Sequence, residues 1–264
     1  SLGDVLLTTP CVHAIRQTYP GGTLDFVVDK KAHLAIKDNP DLDEVLIFPQ
    51  REWDRQWKAG EMSFLEMMEK IRGFLRLIRA REPYDAAFDF HGVFWSALIL
   101  KKVQAIEKYG PDFQLMNRIG VNRVRQLQSH TIVRNGELIQ DYAELSRTTP
   151  VFCPETSSQQ KLYQKLEQTN LHLDSSSYWI LLNPCTTRRS KFWFPNRWAA
   201  IADRIVSELK CHPIFLPGPG EEPVVQSIIE QMKHPEQAFS LVLDFSERYH
   251  LYQLSRLLIT SDSG

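Results

Sequence analysis

Short apolar runs of strand length alternate with segments of helical period along most of the chain, and that alternation restricts the fold to βαβ units built on parallel sheets. Strands are predicted at Leu24–Val28, Glu44–Phe48 and Asp85–Phe90, then at Tyr178–Asn183, Pro213–Leu216, Phe239–Val242 and Leu257–Thr260. A helix is expected over Val5–Arg16, just after Gly3-Asp4, with Pro10 accommodated in its early turns at some cost. Leu65, Met68, Ile71, Leu75 and Ile78 recur at helical spacing, and Pro83 marks the stop. Further helices are expected from His91-Gly92 through Leu100, over Pro195–Leu209 and Glu221–Met232, and as a short piece around Tyr249–Arg256.

The rhythm breaks once. Between Phe152 and Ser177 the texture turns to Pro, Ser, Thr and Gln around one polar helix, Gln159–Gln168. This stretch is predicted to connect two domains, 1–155 and 156–264. Each half then reads as Rossmann-like, an α/β class with mainly parallel sheets. Two such halves facing one another would gather their strand-end loops around one cleft.

Charge and cysteine usage remove several function classes. The 31 basic and 32 acidic side chains leave a net charge of -1, so no overall field draws nucleic acid and an anionic partner must be met by a local patch. Cys11, Cys153, Cys185 and Cys211 lie far apart, with no C-x-x-C pair and no histidine at metal spacing, as expected of reduced thiols in a cytoplasmic protein. No apolar run approaches ~18 residues and no charged-then-apolar leader is visible, which predicts a soluble, non-exported chain.

Four short words fall where a strand should give way to a helix, the position at which open α/β sheets hold ligands. Thr186-Thr187-Arg188, with Lys191 three residues on, offers hydroxyls, backbone N–H groups and an ammonium suited to a diphosphate; an N-capping turn with solvated basic residues is the alternative. Asp262-Ser263-Gly264 could cap a helix or let a ligand approach the backbone. Gly218-Pro219-Gly220-Glu221-Glu222 could set a carboxylate on ribose hydroxyls, or be a tight turn with an acidic first helical turn. Gly3-Asp4 could supply a general base, or a helix cap. His91-Gly92 is a further strand-end loop whose histidine could be structural or catalytic.

Between Phe113 and Gly136 no acid occurs, yet Arg118, Arg123, Arg125 and Arg134 stand there with His130. Such a surface could receive phosphates or carboxylates, or simply be solvated. Its spacing is too irregular, and its aromatics too few, for a nucleic-acid motif. No G-x-G-x-x-G opens either half, which argues against a nicotinamide-dependent oxidoreductase.

Taken together, Ser1-Leu-Gly-Asp-Val-Leu-Leu-Thr-Thr-Pro10, Asp89-Phe-His-Gly92, Thr186-Thr-Arg-Arg-Ser-Lys-Phe-Trp193 with Trp198, and Thr260-Ser-Asp-Ser-Gly264 resemble glycosyltransferase family 9, the ADP-heptose:lipopolysaccharide heptosyltransferases. The resemblance implies a GT-B fold, with the donor in the second Rossmann-like domain and the acceptor mainly in the first. It implies an inverting transfer of heptose from ADP-heptose to an inner-core acceptor, a Kdo or heptose hydroxyl, without an essential bound metal or other cofactor. By position, Asp4 would be the general base. Thr186, Thr187, Arg188 and Lys191 would hold the diphosphate, and Lys191 would offset charge on the departing ADP. Glu221 or Glu222 would meet the adenosine ribose, while Asp262, Ser263 and Gly264 would contact donor sugar and phosphates. Gly3, His91, Arg118, Arg123 and Arg125 are the acceptor-side candidates. The expected partners are the nucleotide sugar and an anionic lipid A–Kdo or core oligosaccharide, met at the inner face of the inner membrane.

The departures carry expectations of their own. The family pattern implies an apolar strand before Ser1 and a further helix and strand after Gly264. The chain therefore reads as an internal piece with an incomplete second domain, unpaired edges in its first sheet and slow turnover. Phe194 stands where the family has proline, and Cys185 where it has a small residue, read here as packing. A related transferase using another nucleotide sugar, and a non-catalytic nucleotide-sugar binder, are the competing functions.

Overall fold

In a computed structural model the chain divides into two compact units, Ser1–Cys153 and Pro154–Gly264. The structure describes residues 2–112, 121, 123–125, 130–169, 171, 179–186 and 189–261, with only the backbone at 124, 125 and 189.

The first unit opens with two helices where one was predicted: α1 (Leu2–Leu6) and α2 (Thr9–Thr18). Gly3 and Asp4 accordingly lie inside α1 and not before the helix. Pro10 explains the break, because it has no N–H to donate to the preceding turn and sits instead in the first turn of a new helix. The junction is closed by hydroxyls, Thr8 Oγ1 donating to the Val5 carbonyl at 2.7 Å and Thr9 Oγ1 to the Leu6 carbonyl at 2.8 Å.

Strands β1 (Asp25–Val28) and β2 (Glu44–Ile47) pair in parallel. After α3 (Gln50–Lys58) comes α4 (Phe64–Arg79), whose start is fixed by a capping box between Ser63 and Glu66. A second parallel sheet holds β3 (Tyr84–Phe88), β4 (Ala105–Pro111) and β5 (Arg123–Arg125), with α5 (Phe94–Lys102) crossing from β3 to β4 and α6 (Thr131–Ile139) following β5. The parallel chemistry is as expected, but β1–β2 and β3–β4–β5 form two sheets and not one. α3, β4, β5 and α6 were not predicted. β4 carries Glu107, Lys108, Gly110 and Pro111, too few β-branched residues for a strand signal.

The second unit is a single parallel sheet in the order β8-β7-β6-β9. It comprises β6 (Trp179–Asn183), α8 (Pro195–Leu209), β7 (His212–Phe215), α9 (Glu222–Ile229), β8 (Phe239–Ser240), α10 (Phe245–Leu254) and β9 (Leu257–Thr260). Helix α7 (Ser158–Gln168) differs in role from the connecting segment expected of it. Its Leu162 and Leu166 are fully buried in one core cluster with Leu181, Ile214 and Leu251. Helix α10 begins earlier than predicted because Asp244 and Glu247 make a capping box at its start.

Candidate active site

In the first unit, residues just beyond the carboxyl ends of β1, β2 and β3 are among those lining a cavity of about 1240 Å³. Asp4 on α1 is exposed and lines it, as do Asp29 after β1, Arg51 at the start of α3, and Asp89 and His91 after β3. Thus two residues that sequence reasoning singled out, Asp4 and His91, line one cavity, and Gly3 is a helical neighbour of Asp4. Asp89 is the organising residue. Its buried carboxylate accepts the His91 and Gly92 amides at 2.9 Å through Oδ1 and the Ser96 hydroxyl at 2.8 Å through Oδ2. Gly92 completes the turn at φ +68°, a left-handed conformation that disfavours a side chain. The sequence signal for this pin was an acid ending a strand two residues before His-Gly, the pattern of an Asx turn.

The acceptor-side arginines are placed differently. Arg123 forks onto Glu107 of the neighbouring strand, Nη2 at 2.8 Å and Nε at 3.1 Å, and it is not among the residues lining the cavity. Glu107 also accepts from Tyr109 and Tyr142, so its carboxyl is held below its ordinary range by these donors, Tyr109 first and Arg123 next. Arg118 lies outside the described residues, as does the side chain of Arg125. The exposed cations on the cavity itself are Lys31 and Arg51, which the sequence reading did not single out.

In the second unit, Thr186 is buried just beyond β6, and Lys191 is half-buried in a 3-10 turn, Arg189–Lys191, that precedes α8. Thr187 and Arg188 lie outside the described residues, as do Asp262, Ser263 and Gly264. The approach to that last segment is described: Ser261 donates its amide to the Asn183 carbonyl at 2.9 Å and its hydroxyl to the Pro184 carbonyl at 2.9 Å. These bonds bind the ends of β6 and β9 side by side.

Glu221 and Glu222 separate cleanly. Glu221 Oε2 accepts the Gly218 amide at 2.7 Å, closing the loop after β7, and its charge also faces Cys185. A Cβ at Gly218 would lie 2.9 Å from Glu221 Oε2, so a side chain there would displace that carboxylate from the loop. Gly220, at φ +83°, supplies the left-handed step of the same turn. Glu222 is exposed at the first position of α9. From α10, Arg248 reaches the loop and donates to the Pro217 carbonyl at 2.7 Å, a buttress that sequence reading missed. Burial, followed by the Glu221 charge, pushes the Cys185 thiol up to about 12, so the sulfur stays protonated near neutral pH.

Beyond Lys191 three aromatics are partly exposed: Phe192, Trp193 and Phe194. The Arg197 guanidinium lies over Trp193 and Phe194, 5.8 and 5.3 Å from their centroids. Trp193 in turn packs edge-on against buried Trp198 at 5.5 Å.

Against known proteins, the family model for glycosyltransferase family 9 (heptosyltransferase) matches residues 72–264. Lipopolysaccharide heptosyltransferase 1 of Escherichia coli K12 is 27% identical over 204 residues, which is 75% of this chain and 60% of that protein. The aligned stretch is therefore under two thirds of the relative's length. Among solved structures, a glycosyltransferase family 9 protein from Veillonella parvula superposes with a TM-score of 0.81 at 19% identity, over 98% of this chain and 73% of that one. Escherichia coli heptosyltransferase WaaC with ADP superposes with a TM-score of 0.72 at 22% identity, over 100% of this chain and 79% of that one. These likenesses give the fold: α/β of the GT-B type, with parallel sheets.

Proposed function

The chain belongs to glycosyltransferase family 9, and from that membership we propose that it serves inverting transfer of heptose from ADP-heptose to a hydroxyl of the inner-core lipopolysaccharide acceptor, a Kdo or heptose unit. The observation carrying this reading is the family match across residues 72–264; the 27% identical relative, a lipopolysaccharide heptosyltransferase, supports the choice of donor and acceptor.

In the proposed reaction the acceptor oxygen attacks the anomeric carbon as the bond from that carbon to the ADP oxygen breaks. The acceptor proton passes to Asp4, an exposed carboxylate suited to general-base work. ADP leaves with the bonding electrons, and Lys191 with Thr186, Thr187 and Arg188 offsets its growing charge. Glu222 is the better candidate for the adenosine ribose, because it is exposed whereas Glu221 already accepts the Gly218 amide. Asp262, Ser263 and Gly264 are proposed on the donor sugar and phosphates. On the acceptor side Gly3 and His91 remain candidates, joined by Lys31 and Arg51, the exposed cations of the cavity they share with Asp4. Among the described residues no helix is long and apolar enough to cross a membrane. Contact with the bilayer is proposed to come through the lipid acceptor.

ADP release from ADP-heptose, measured with and without a Kdo–lipid A acceptor, tests the proposal. Acceptor-dependent release is expected, and Asp4→Asn should lower it ~10²–10⁴-fold while ADP-heptose still binds. Equal rates for Asp4→Asn and the parent would remove the base assignment. Release without need of an acceptor, or donor binding without release, would favour another acceptor or a binding role.

A further inference from the structure

Helix α4 has two faces of opposite chemistry. Met67, Ile71 and Ile78 are buried in one core cluster with Leu46 and Phe48. Away from that core, Leu65, Arg72, Arg76 and Arg79 stand seven, four and three residues apart. At 3.6 residues per turn this spacing sets them in one stripe about 20 Å long, which Glu69 shares. All are exposed. From Lys70 to Arg79 the sequence holds no acid, so the second half of the open face is cationic.

The starting end of the stripe is apolar. Trp57 near the end of α3 and Phe64 at the start of α4 pair with ring centroids 5.9 Å apart, yet they are 41% and 52% exposed. Leu65 beside them is 79% exposed, more than any other large apolar side chain among the described residues. Such a tip leaves in water the apolar area that burial would stabilise. Most acids around it are engaged. Glu52 accepts from Lys30 at 2.8 Å, Asp54 from Lys58 at 2.7 Å and Glu66 from the Ser63 amide at 2.7 Å, leaving Glu61 and Glu69. The face therefore runs from an aromatic and leucine tip to a row of guanidinium groups.

We propose that this face docks on an anionic phospholipid bilayer, with Trp57, Phe64 and Leu65 entering the headgroup layer and Arg72, Arg76 and Arg79 lying on lipid phosphates. Charge and apolarity together select that partner. Guanidinium groups pair with phosphate oxygens, and aromatic side chains settle where an apolar medium meets a wet one. A nucleic acid would satisfy the arginines but give the apolar tip nothing, while an apolar protein surface would strip water from the arginines without pairing them. With a net charge of -1 the chain has no overall field to draw it to anions, so the attraction is local and fixes which face meets the lipid. The same hairpin reaches the candidate site. Arg51 of α3 lines the cavity with Asp4, and Trp57 lies six residues on, roughly 9 Å along the helix axis. Docking would thus hold the cavity beside the surface in which a lipid acceptor lies. The inference extends the lipid-acceptor reading, and its test omits donor and acceptor so that either can fail without the other.

The test floats the 264-residue chain with vesicles of equal parts phosphatidylethanolamine and phosphatidylglycerol, and separately with vesicles of phosphatidylcholine. Binding is expected to the first and not the second. The triple variant Arg72→Gln, Arg76→Gln, Arg79→Gln should bind roughly 10²-fold more weakly. Lys101→Gln, Lys102→Gln, Lys233→Gln, which removes as many exposed cations elsewhere, should bind as the parent does. Lipids brominated in the upper acyl chain should quench tryptophan emission, an effect lost in Trp57→Phe and kept in Trp193→Phe. No binding, equal binding to both vesicles, equal losses in the two triple variants, or quenching that survives Trp57→Phe would each overturn the proposal.

Discussion

Two adjacent glutamates illustrate what a residue's surroundings add to its identity. In sequence Glu221 and Glu222 are interchangeable candidates, yet Glu221 accepts the Gly218 amide at 2.7 Å while Glu222 is exposed. Glu221→Ala should therefore cost about 1 kcal/mol in urea unfolding by releasing that amide, and Glu222→Ala should leave the unfolding midpoint in place. If Glu222 meets ribose, its alanine variant should weaken ADP binding by roughly tenfold in calorimetry, a worth typical of one or two lost hydrogen bonds. The reverse pattern would exchange the two roles. Buried thiols supply a second test. Burial pushes Cys11 and Cys185 up to about 12 from an ordinary 9.0, so the unfolded chain loses these protons first as pH rises. The stabilising difference is whole below pH 9 and drains between about 9 and 12, with about 1 kcal/mol per thiol already lost at pH 10. Urea midpoints should fall from pH 8 to pH 10, and Cys185→Ala should flatten part of that slope; an unchanged slope would show that its thiol titrates alike in both states. Asp4 and His91 were singled out as residues of strand-end loops; both line the cavity, and Asp4 does so from inside α1. Asp89 was passed over as a pin although its Asx pattern stands in the sequence, whereas Arg248 as a buttress has no such signal, since a guanidinium declares its partners only when the chain has folded.

At the level of elements, sequence reading succeeded where punctuation was strong. Pro195 opens α8 and Lys210 ends it, and β9 is bounded as the run Leu257-Leu-Ile-Thr260 suggested. It failed where polar composition hid burial. Helix α7 reads as a solvated connector of Gln, Lys and Ser, yet two leucines four residues apart are enough to anchor it. Leu162 is completely buried, so Leu162→Ala should cost ~2–5 kcal/mol in chemical denaturation, as core leucine deletions do. A cost under ~0.5 kcal/mol would restore the connector reading. β4 was missed for the opposite reason. Its Glu107 and Lys108 break the apolar run, and only the pairing with β3 and β5 makes it a strand.

At the scale of the whole molecule, among the described residues three buried apolar clusters lie within residues 1–153 and two within 154–264, and none joins the two ranges. Each unit thus carries a core of its own, and cooperative unfolding follows cores. The second has one continuous four-stranded sheet, whereas the first has a sheet in two parts and a cavity of about 1240 Å³ between outer strand edges. A void forfeits both dispersion contacts and apolar burial, so the first unit should be the weaker. Scanning calorimetry is expected to resolve two transitions, and hydrogen exchange during the ramp should assign the lower one to residues 1–153. A single transition for all probes would mean that the units unfold as one. A first unit melting above the second would mean that the cavity costs less than its missing contacts imply.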